Sequence, residues 1–378
     1  MKQRYMHDRT IVLVDEDVTH DKRVHAALAH LSRAEVIVCT GHNLQFQLRS
    51  VFYFINGLLY FFISIFRGFR HWQLLGQQFG LQPKNIITGF LKSFKTFVLA
   101  QQIARQIHQQ CNAVSLIYAH DLFCGIVGAE LSRALGAKLI YDAHEVEFHR
   151  NRKNSWLRTA YDIELERNVI NRSSEVKIVN TPIARLYELI YALSAERLQV
   201  SSNNHFLVVA RKPSPAFLPP SKIALVYVGG GVKGRQLEQL ASGACNLGIP
   251  VYSYFINKVP KIAVEHGWFI GSKEYEESLI SLTASHRCMM WCCVDNICLS
   301  YQMALPNKFF QAMAVGMPVI VSCNTYLSEI LCKYNIGAVF DGINLDAIIT
   351  QMRSSMYSDW LANIAVFNKK LQDGDVVL

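Results

Sequence analysis

No acidic residue stands where a ribose reader would close the strand IPVYSYF at 249–255, and no C-x-x-C pair is matched by a second pair. Gly229, Gly231 and Gly234 keep the G-x-G-x-x-G spacing, but without that reader a dinucleotide fingerprint is poorly supported and a Rossmann dehydrogenase is disfavoured. The second absence disfavours a structural zinc site. Short-period repeats and low-complexity tracts are also lacking. Charged residues are sparse, at 18% against 51% hydrophobic, which excludes a disordered chain. No secretory leader is expected, because MKQRYMHDRT runs directly into a strand-like segment. The ten scattered cysteines are therefore expected as free, mostly buried thiols in a reducing cytoplasm. The most apolar run, VFYFINGLLYFFISIF at 51–66, falls short of the about 20 residues that cross a bilayer.

What is present points to two packed domains. The length of 378 residues suits two cores of roughly 150–200 residues each. The net charge of +9 asks for an anionic partner: nucleic acid, an anionic membrane surface or a phosphorylated substrate. Nucleic acid is disfavoured, since the basic residues are dispersed and not interleaved with aromatics on one segment. For 51–66 the favoured reading is a helix lying on or dipping into a membrane, with Arg67, Arg70, His71 and Trp72 at headgroup level. A buried core helix stands beside it. A true span is disfavoured, because it would place the first strands and the rest of the domain on opposite sides.

Short apolar strands alternate with helical patterns along the chain, the signature of parallel sheets buried on both faces. Strands are expected at 10–17, 35–40, 115–119, 137–142 and 175–180, with helices between them, including 93–110. The proline- and serine-rich stretch 201–221 breaks the rhythm and reads as a linker. Alternation then restarts with KIALVYV at 222–228, and the last stretch from Leu345 reads as helical. The expected domains are 1–204 with the apolar insert 51–66, 205–355, and a C-terminal helical segment 356–378. Two such α/β domains place a cleft between the carboxyl ends of their sheets, where ligands usually bind.

Several residues carry chemistry. Gly229, Gly230 and Gly231 follow a strand, where glycine lets backbone N–H groups approach a phosphate; a plain turn is the alternative. Lys233 and Arg235 in that turn either pair with a diphosphate or are solvated surface charges. In LPNKFFQAMAVGMPVIVSC, the helix start at Asn307, Lys308 and Phe309 offers N–H groups to an anion. His144 in DAHE stands at a strand's carboxyl end, as a structural residue or as a hydrogen-bonding group in the site. Glu145 either orients an acceptor or holds His144, and Asp142 reads as structural. His120 and Asp121 are structural or line the acceptor side, and Asp21 with Arg23 either support the first loop or approach the phosphates.

Four stretches, in order, resemble GT-B glycosyltransferases, in particular the retaining glycosyltransferase family 4 group. They are THDKRV (19–24), YAHDLFCGIVGAELSRALGAKLIYDAHEVEF (118–148), VYVGGGVKGRQLEQL (226–240) and LPNKFFQAMAVGMPVIVS (305–322). The resemblance implies an α/β GT-B fold, two Rossmann-like domains whose parallel sheets face a central cleft. It implies transfer from a nucleotide-diphosphate sugar to a lipid-linked or glycan acceptor in cell-surface polysaccharide synthesis, with retention and without metal or cofactor. The location implied is the inner face of the cytoplasmic membrane, as a peripheral protein. By the same resemblance Arg235 and Lys233 hold the diphosphate, and His144 and Glu145 belong to the catalytic site. Gly229, Gly230, Asn307, Lys308 and Gln311 are placed on the donor, and Glu329 is either a further ribose or sugar contact or a surface glutamate of its helix.

Two features depart from the resembled group. Where many members carry two glutamates spaced E-x7-E, this chain has Met303 and Gln311. A Gln amide still accepts and donates but lacks the charge-assisted bond to ribose. A catalytically weak or inactive GT-B protein that binds a membrane or partner is therefore the alternative function. The tail after FNKKLQDGDVVL is also shorter than in members whose final helix crosses back to the first domain, which would loosen the hinge.

Overall fold

The computed structural model describes residues 9–14, 28, 31, 34–39, 55–65, 67, 86–111, 114–150, 156–201, 222–256, 258–271 and 275–378. Asp21, Arg23 and the rest of THDKRV (19–24), Arg70, His71 and Trp72, and nearly all of the 201–221 linker lie outside them. The chain divides into two compact units, Met1–Ser201 and Ser202–Leu378.

The first unit is built on six parallel strands: β1 (Arg9–Val14), β2 (Ala34–Val38), β3 (Val114–His120), β4 (Lys138–Ala143), β5 (Glu175–Ile178) and β6 (Leu198–Val200). Their order is β2-β1-β3-β4-β5-β6. In β1, Ile11, Val12 and Leu13 are all fully buried, as a strand covered on both faces requires. The helix Asp121–Leu135 packs close because Gly125 and Gly128 leave room: a Cβ there would stand 2.9 Å from Tyr141 and from Leu139, respectively. That helix ends at Gly136, whose φ of +68° is a left-handed cap favourable to glycine. The helix Thr181–Tyr191 starts where Asn180 accepts from the Ile183 N–H at 3.0 Å, with a proline in its first turn.

The expected helix at 93–110 extends back to Ile86. Against it lies a helical stretch, 55–65, inside the apolar insert. Its inner side meets the long helix through Phe61 on Phe90 and Tyr60 on Phe97. Its outer side leaves Ile55, Leu59 and Phe62 each more than half exposed. Among the described residues no helix is long and apolar enough to cross a membrane.

The second unit repeats the plan with β7 (Ile223–Gly229), β8 (Val251–Phe255), β9 (Phe269–Ile270), β10 (Arg287–Trp291), β11 (Val319–Ser322) and β12 (Gly337–Phe340), ordered β12-β11-β10-β7-β8-β9. Alternate residues of β7 enter opposite cores. Ala224, Val226 and Val228 join Phe309, Phe310 and Phe367 on one face, while Leu225 and Tyr227 join Trp268, Trp291 and Trp360 on the other. The stretch expected as helical from Leu345 forms two helices, Leu345–Arg353 and Met356–Gln372. Two serines at 354 and 355 break it, and serine hydroxyls compete for backbone hydrogen bonds. The second of these helices belongs to the core: Trp360 packs on one face and Ile364 and Phe367 on the other.

Candidate functional site

Two clusters of chemistry-bearing side chains stand at the carboxyl ends of the strands, one in each unit. In the first unit, parallel pairing sets His120, the last residue of β3, beside Asp142 in β4. Side chains alternate along a strand, so Tyr118 and His120 share a face, and Asp142 and His144 follow with the same parity. The outcome is a tight group. His120 Nδ1 lies 3.2 Å from Asp142 Oδ2, His144 Nε2 lies 3.2 Å from the same oxygen, and the two ring nitrogens are 3.1 Å apart. Tyr118 donates its O–H to that oxygen at 2.9 Å. Burial pushes Asp142 up, but the two histidines together hold it well below the usual carboxylate range. Asp142, expected as structural, joins this cluster through both histidines.

His144 Nδ1 lies 3.4 Å from Asp121 Oδ1. Asp121 opens its helix at φ +59°, a left-handed value uncommon for a residue with a Cβ. The structure therefore sets His144 against Asp142 and Asp121. Glu145 pairs with Arg150 at 3.2 Å. Arg150 also reaches Asp121 at 3.2 Å and Glu147 at 3.5 Å. Burial pushes the Glu147 carboxyl well up, and Asp121 adds to the effect. Arg150 was not singled out in the sequence, although the acid-rich run HEVEFHR is the signal that could have found it. Beside it lies a cavity of about 210 Å³ lined by Ser93, Thr96, Leu122, Glu147, Arg158 and Asp162 among others.

A fully buried carboxylate sits deeper in the same unit. Glu166 accepts from Tyr141 at 2.7 Å and from Tyr187 and Tyr191 at 2.5 Å. Burial raises it to about 7 even though the three tyrosines pull it down.

In the second unit the glycine turn, Arg235 and Lys308 gather around Tyr227. Tyr227 donates its O–H to the Gly230 carbonyl at 2.7 Å. Gly229 sits at φ +141°, and a Cβ there would lie 3.2 Å from the Tyr227 oxygen. The Lys308 ammonium lies 4.6 Å from the centre of the Tyr227 ring. Lys308 is 7% exposed, and its Nζ has no hydrogen-bond partner among the described residues. Burial lowers it to about 8. Arg235 stacks over Tyr301 at 4.8 Å, and its carbonyl accepts from Trp291 Nε1 at 3.1 Å. Lys233 is exposed on the same turn.

The helix Asn307–Ala314 follows Pro306, which supplies no side-chain cap. The Phe309 N–H turns back to the Pro306 carbonyl at 2.9 Å, so it is engaged and not offered to an anion as expected. Gln311 donates from Nε2 to the Tyr275 O–H oxygen at 2.7 Å. Glu329 lies exposed in the first turn of the helix Tyr326–Tyr334, behind a Thr325–Ser328 capping box. A carboxylate there suits the helix N-terminus without any ligand. The structure thus brings Gly229, Gly230, Arg235 and Lys308 together, with Asn307 and Gln311 on the adjoining helix. Tyr227, the ring at the centre of this group, was read in the sequence only as an apolar strand residue.

Comparison with known proteins bears on the fold. Residues 292–377 match the family described as "Glucosyltransferase 3-like, C-terminal domain". No curated protein matches the sequence. Among solved structures, the chain is similar to sucrose-phosphate synthase from Thermosynechococcus elongatus, with a TM-score of 0.60 and 13% identity over 98% of both chains. It is also similar to Anabaena Alr3699/HepE in complex with UDP, with a TM-score of 0.55 and 14% identity over 97% of this chain and 99% of that one. The apo form of the lipopolysaccharide outer core galactosyltransferase WaaB gives a TM-score of 0.53 and 10% identity over 97% and 98%. With two six-stranded parallel sheets, each carrying helices, this chain has the fold of the GT-B glycosyltransferases.

Proposed function

We propose that this protein is a glycosyltransferase that takes a sugar from a nucleotide-diphosphate donor and passes it to a lipid-linked or glycan acceptor in cell-surface polysaccharide synthesis. The observation that carries this reading is Lys308, a buried cation without a hydrogen-bond partner among the described residues, grouped with Arg235 and the glycine turn. A diphosphate would supply the anionic hydrogen-bond partner that Lys308 lacks among the described residues, and the same cations would stabilise the leaving group. Gly229 and Gly230 would let backbone approach the phosphates, with Lys233 at the rim. Asn307, Gln311 and Glu329 would contact the rest of the donor.

Retention and independence from metal in the transfer step follow from the family resemblance. His144, with its ring fixed between Asp121 and Asp142, is the group assigned to the transferred sugar, and Glu145 supports the acceptor side through Arg150. The cavity beside Arg150 is a place for part of the acceptor. The exposed apolar side of the helical stretch 55–65 supports peripheral attachment to the inner face of the cytoplasmic membrane.

The test is to incubate the folded protein with a panel of nucleotide sugars and measure binding and slow donor hydrolysis. Binding of at least one donor, weakened by Arg235→Ala, is expected; no interaction with any donor would overturn the reading. The alternative, an inactive GT-B protein serving as a membrane or partner-binding module, draws on Gln311, whose amide already serves Tyr275. Under the transfer reading Gln311→Glu raises donor affinity about tenfold, through one charge-assisted bond. Under the alternative, His144→Ala leaves polysaccharide in cells unchanged.

A further inference from the structure

Three atoms of ligand type meet at the carboxyl ends of β3 and β4. His120 Nδ1, His144 Nε2 and Asp142 Oδ2 form a nearly equilateral triangle with edges of 3.1, 3.2 and 3.2 Å. Protons cannot satisfy all three edges. Each edge, as a hydrogen bond, needs one hydrogen between a donor and an acceptor. A carboxylate only accepts, so both of its edges need an N–H on the facing ring nitrogen. The nitrogen–nitrogen edge then sets two N–H groups against each other. Removing one of those hydrogens turns a ring lone pair toward the carboxylate instead. A single cation on the axis of the triangle satisfies all three atoms at once.

The dimensions fit such an ion. Tetrahedral zinc, with ligands at about 2.0–2.1 Å, sets them about 3.3–3.4 Å apart. The observed edges are within about 0.3 Å of that. Two imidazoles and one carboxylate suit zinc and its transition-metal neighbours, whereas calcium and magnesium prefer oxygen alone. A supporting shell is also present. Asp121 Oδ1 lies 3.4 Å from His144 Nδ1, and Arg150 braces Asp121 at 3.2 Å. Tyr118 donates to Asp142 at 2.9 Å. Partners of this kind orient metal-binding histidines and carboxylates. Both histidines are less than a tenth exposed, and β3 and β4 hold His120 and Asp142 in register.

We propose that His120, Asp142 and His144 form a site for one divalent transition-metal ion of the zinc type, with a fourth position open to water or a hydroxyl oxygen. All three ligands belong to the first unit, and the site holds whether or not the protein transfers sugar. Occupancy would engage His144 Nε2 and so place that residue under the control of the metal.

The experiment uses the full chain stripped with a chelator, then titrated with Zn²⁺ in a calorimeter and with Co²⁺ by visible absorption. It contains no sugar, so its failure is distinct from failure of the transferase reading. One ion per chain is expected, with the intensified visible bands of low-coordinate Co²⁺. The double variant His120→Asn, His144→Gln should lose at least about a hundredfold in affinity, more than is usual for loss of outer-shell partners alone. X-ray absorption of the zinc-loaded wild type should show nitrogen and oxygen neighbours; it serves even if the variant fails to fold. No ion on the folded wild type, unchanged affinity in a folded double variant, or sulfur neighbours from the buried cysteines would each overturn the proposal.

Discussion

Lys308 carries an energetic cost beside the role proposed for it. Its ordinary value of 10.5 is lowered to about 8 by burial. Between those values the unfolded chain binds more protons than the folded one, so stability rises with pH there. Below about 8 the full cost is present, on the order of 3 kcal/mol. Lys308→Met should therefore raise the melting temperature at neutral pH by several degrees, with the gain fading as pH climbs toward 10.5. The same variant should weaken nucleotide-diphosphate binding. Scanning calorimetry across pH checks the first part, and an unchanged melting temperature at every pH would refute it. Glu166 has the opposite sign. Its folded value is raised from 4.5 to about 7, so its contribution is complete below about 4.5 and is lost as pH rises through about 7. The urea midpoint should fall over that window, and Glu166→Gln should flatten the fall.

At the scale of elements, parallel pairing decides which side chains meet. A one-residue slip between β3 and β4 would turn His120 and Asp142 to opposite faces and dissolve the cluster. The helical stretch 55–65 is a second case. Gly57 and Ser64 face inward, while Ile55, Leu59 and Phe62 stand outward at the spacing of one helix face. Replacing these three by serine should lower co-sedimentation with anionic vesicles at least about tenfold, since each apolar side chain contributes about 1.5–3 kcal/mol when fully buried. Thermal unfolding should change little, because the three are already exposed in the folded chain. Equal sedimentation of wild type and variant would remove the membrane role of this face.

For the molecule as a whole, the two units are built alike, each a six-stranded parallel sheet with a buried core of its own. The net charge of +9 adds a long-range attraction to anionic surfaces. That attraction acts over about 10 Å at moderate ionic strength and shrinks as salt is added. Vesicle binding should accordingly weaken as salt rises, and it should weaken further on neutral lipid. Binding that ignores both would point to apolar contact alone.

Much of this architecture could be read from periodicity. Within KIALVYV, residues 223–228 are a continuous apolar run closed by Gly229, and a run of that kind has few options other than a buried parallel strand. The edge strands β6 and β9, three and two residues long, escaped because such short pieces show no period. Chemistry was legible where residues are adjacent in the chain, as in DAHE or PNK. It was not legible where strands bring distant residues together. Asp142 looked structural until pairing set it beside His120, 22 positions earlier, and Tyr227 looked like plain core until Lys308 settled over its ring. The sequence by itself determined the elements and the residue types, because both follow from local spacing. Which of those residues share a site was decided only by the tertiary structure, because register and crossover connections act between segments far apart in the chain.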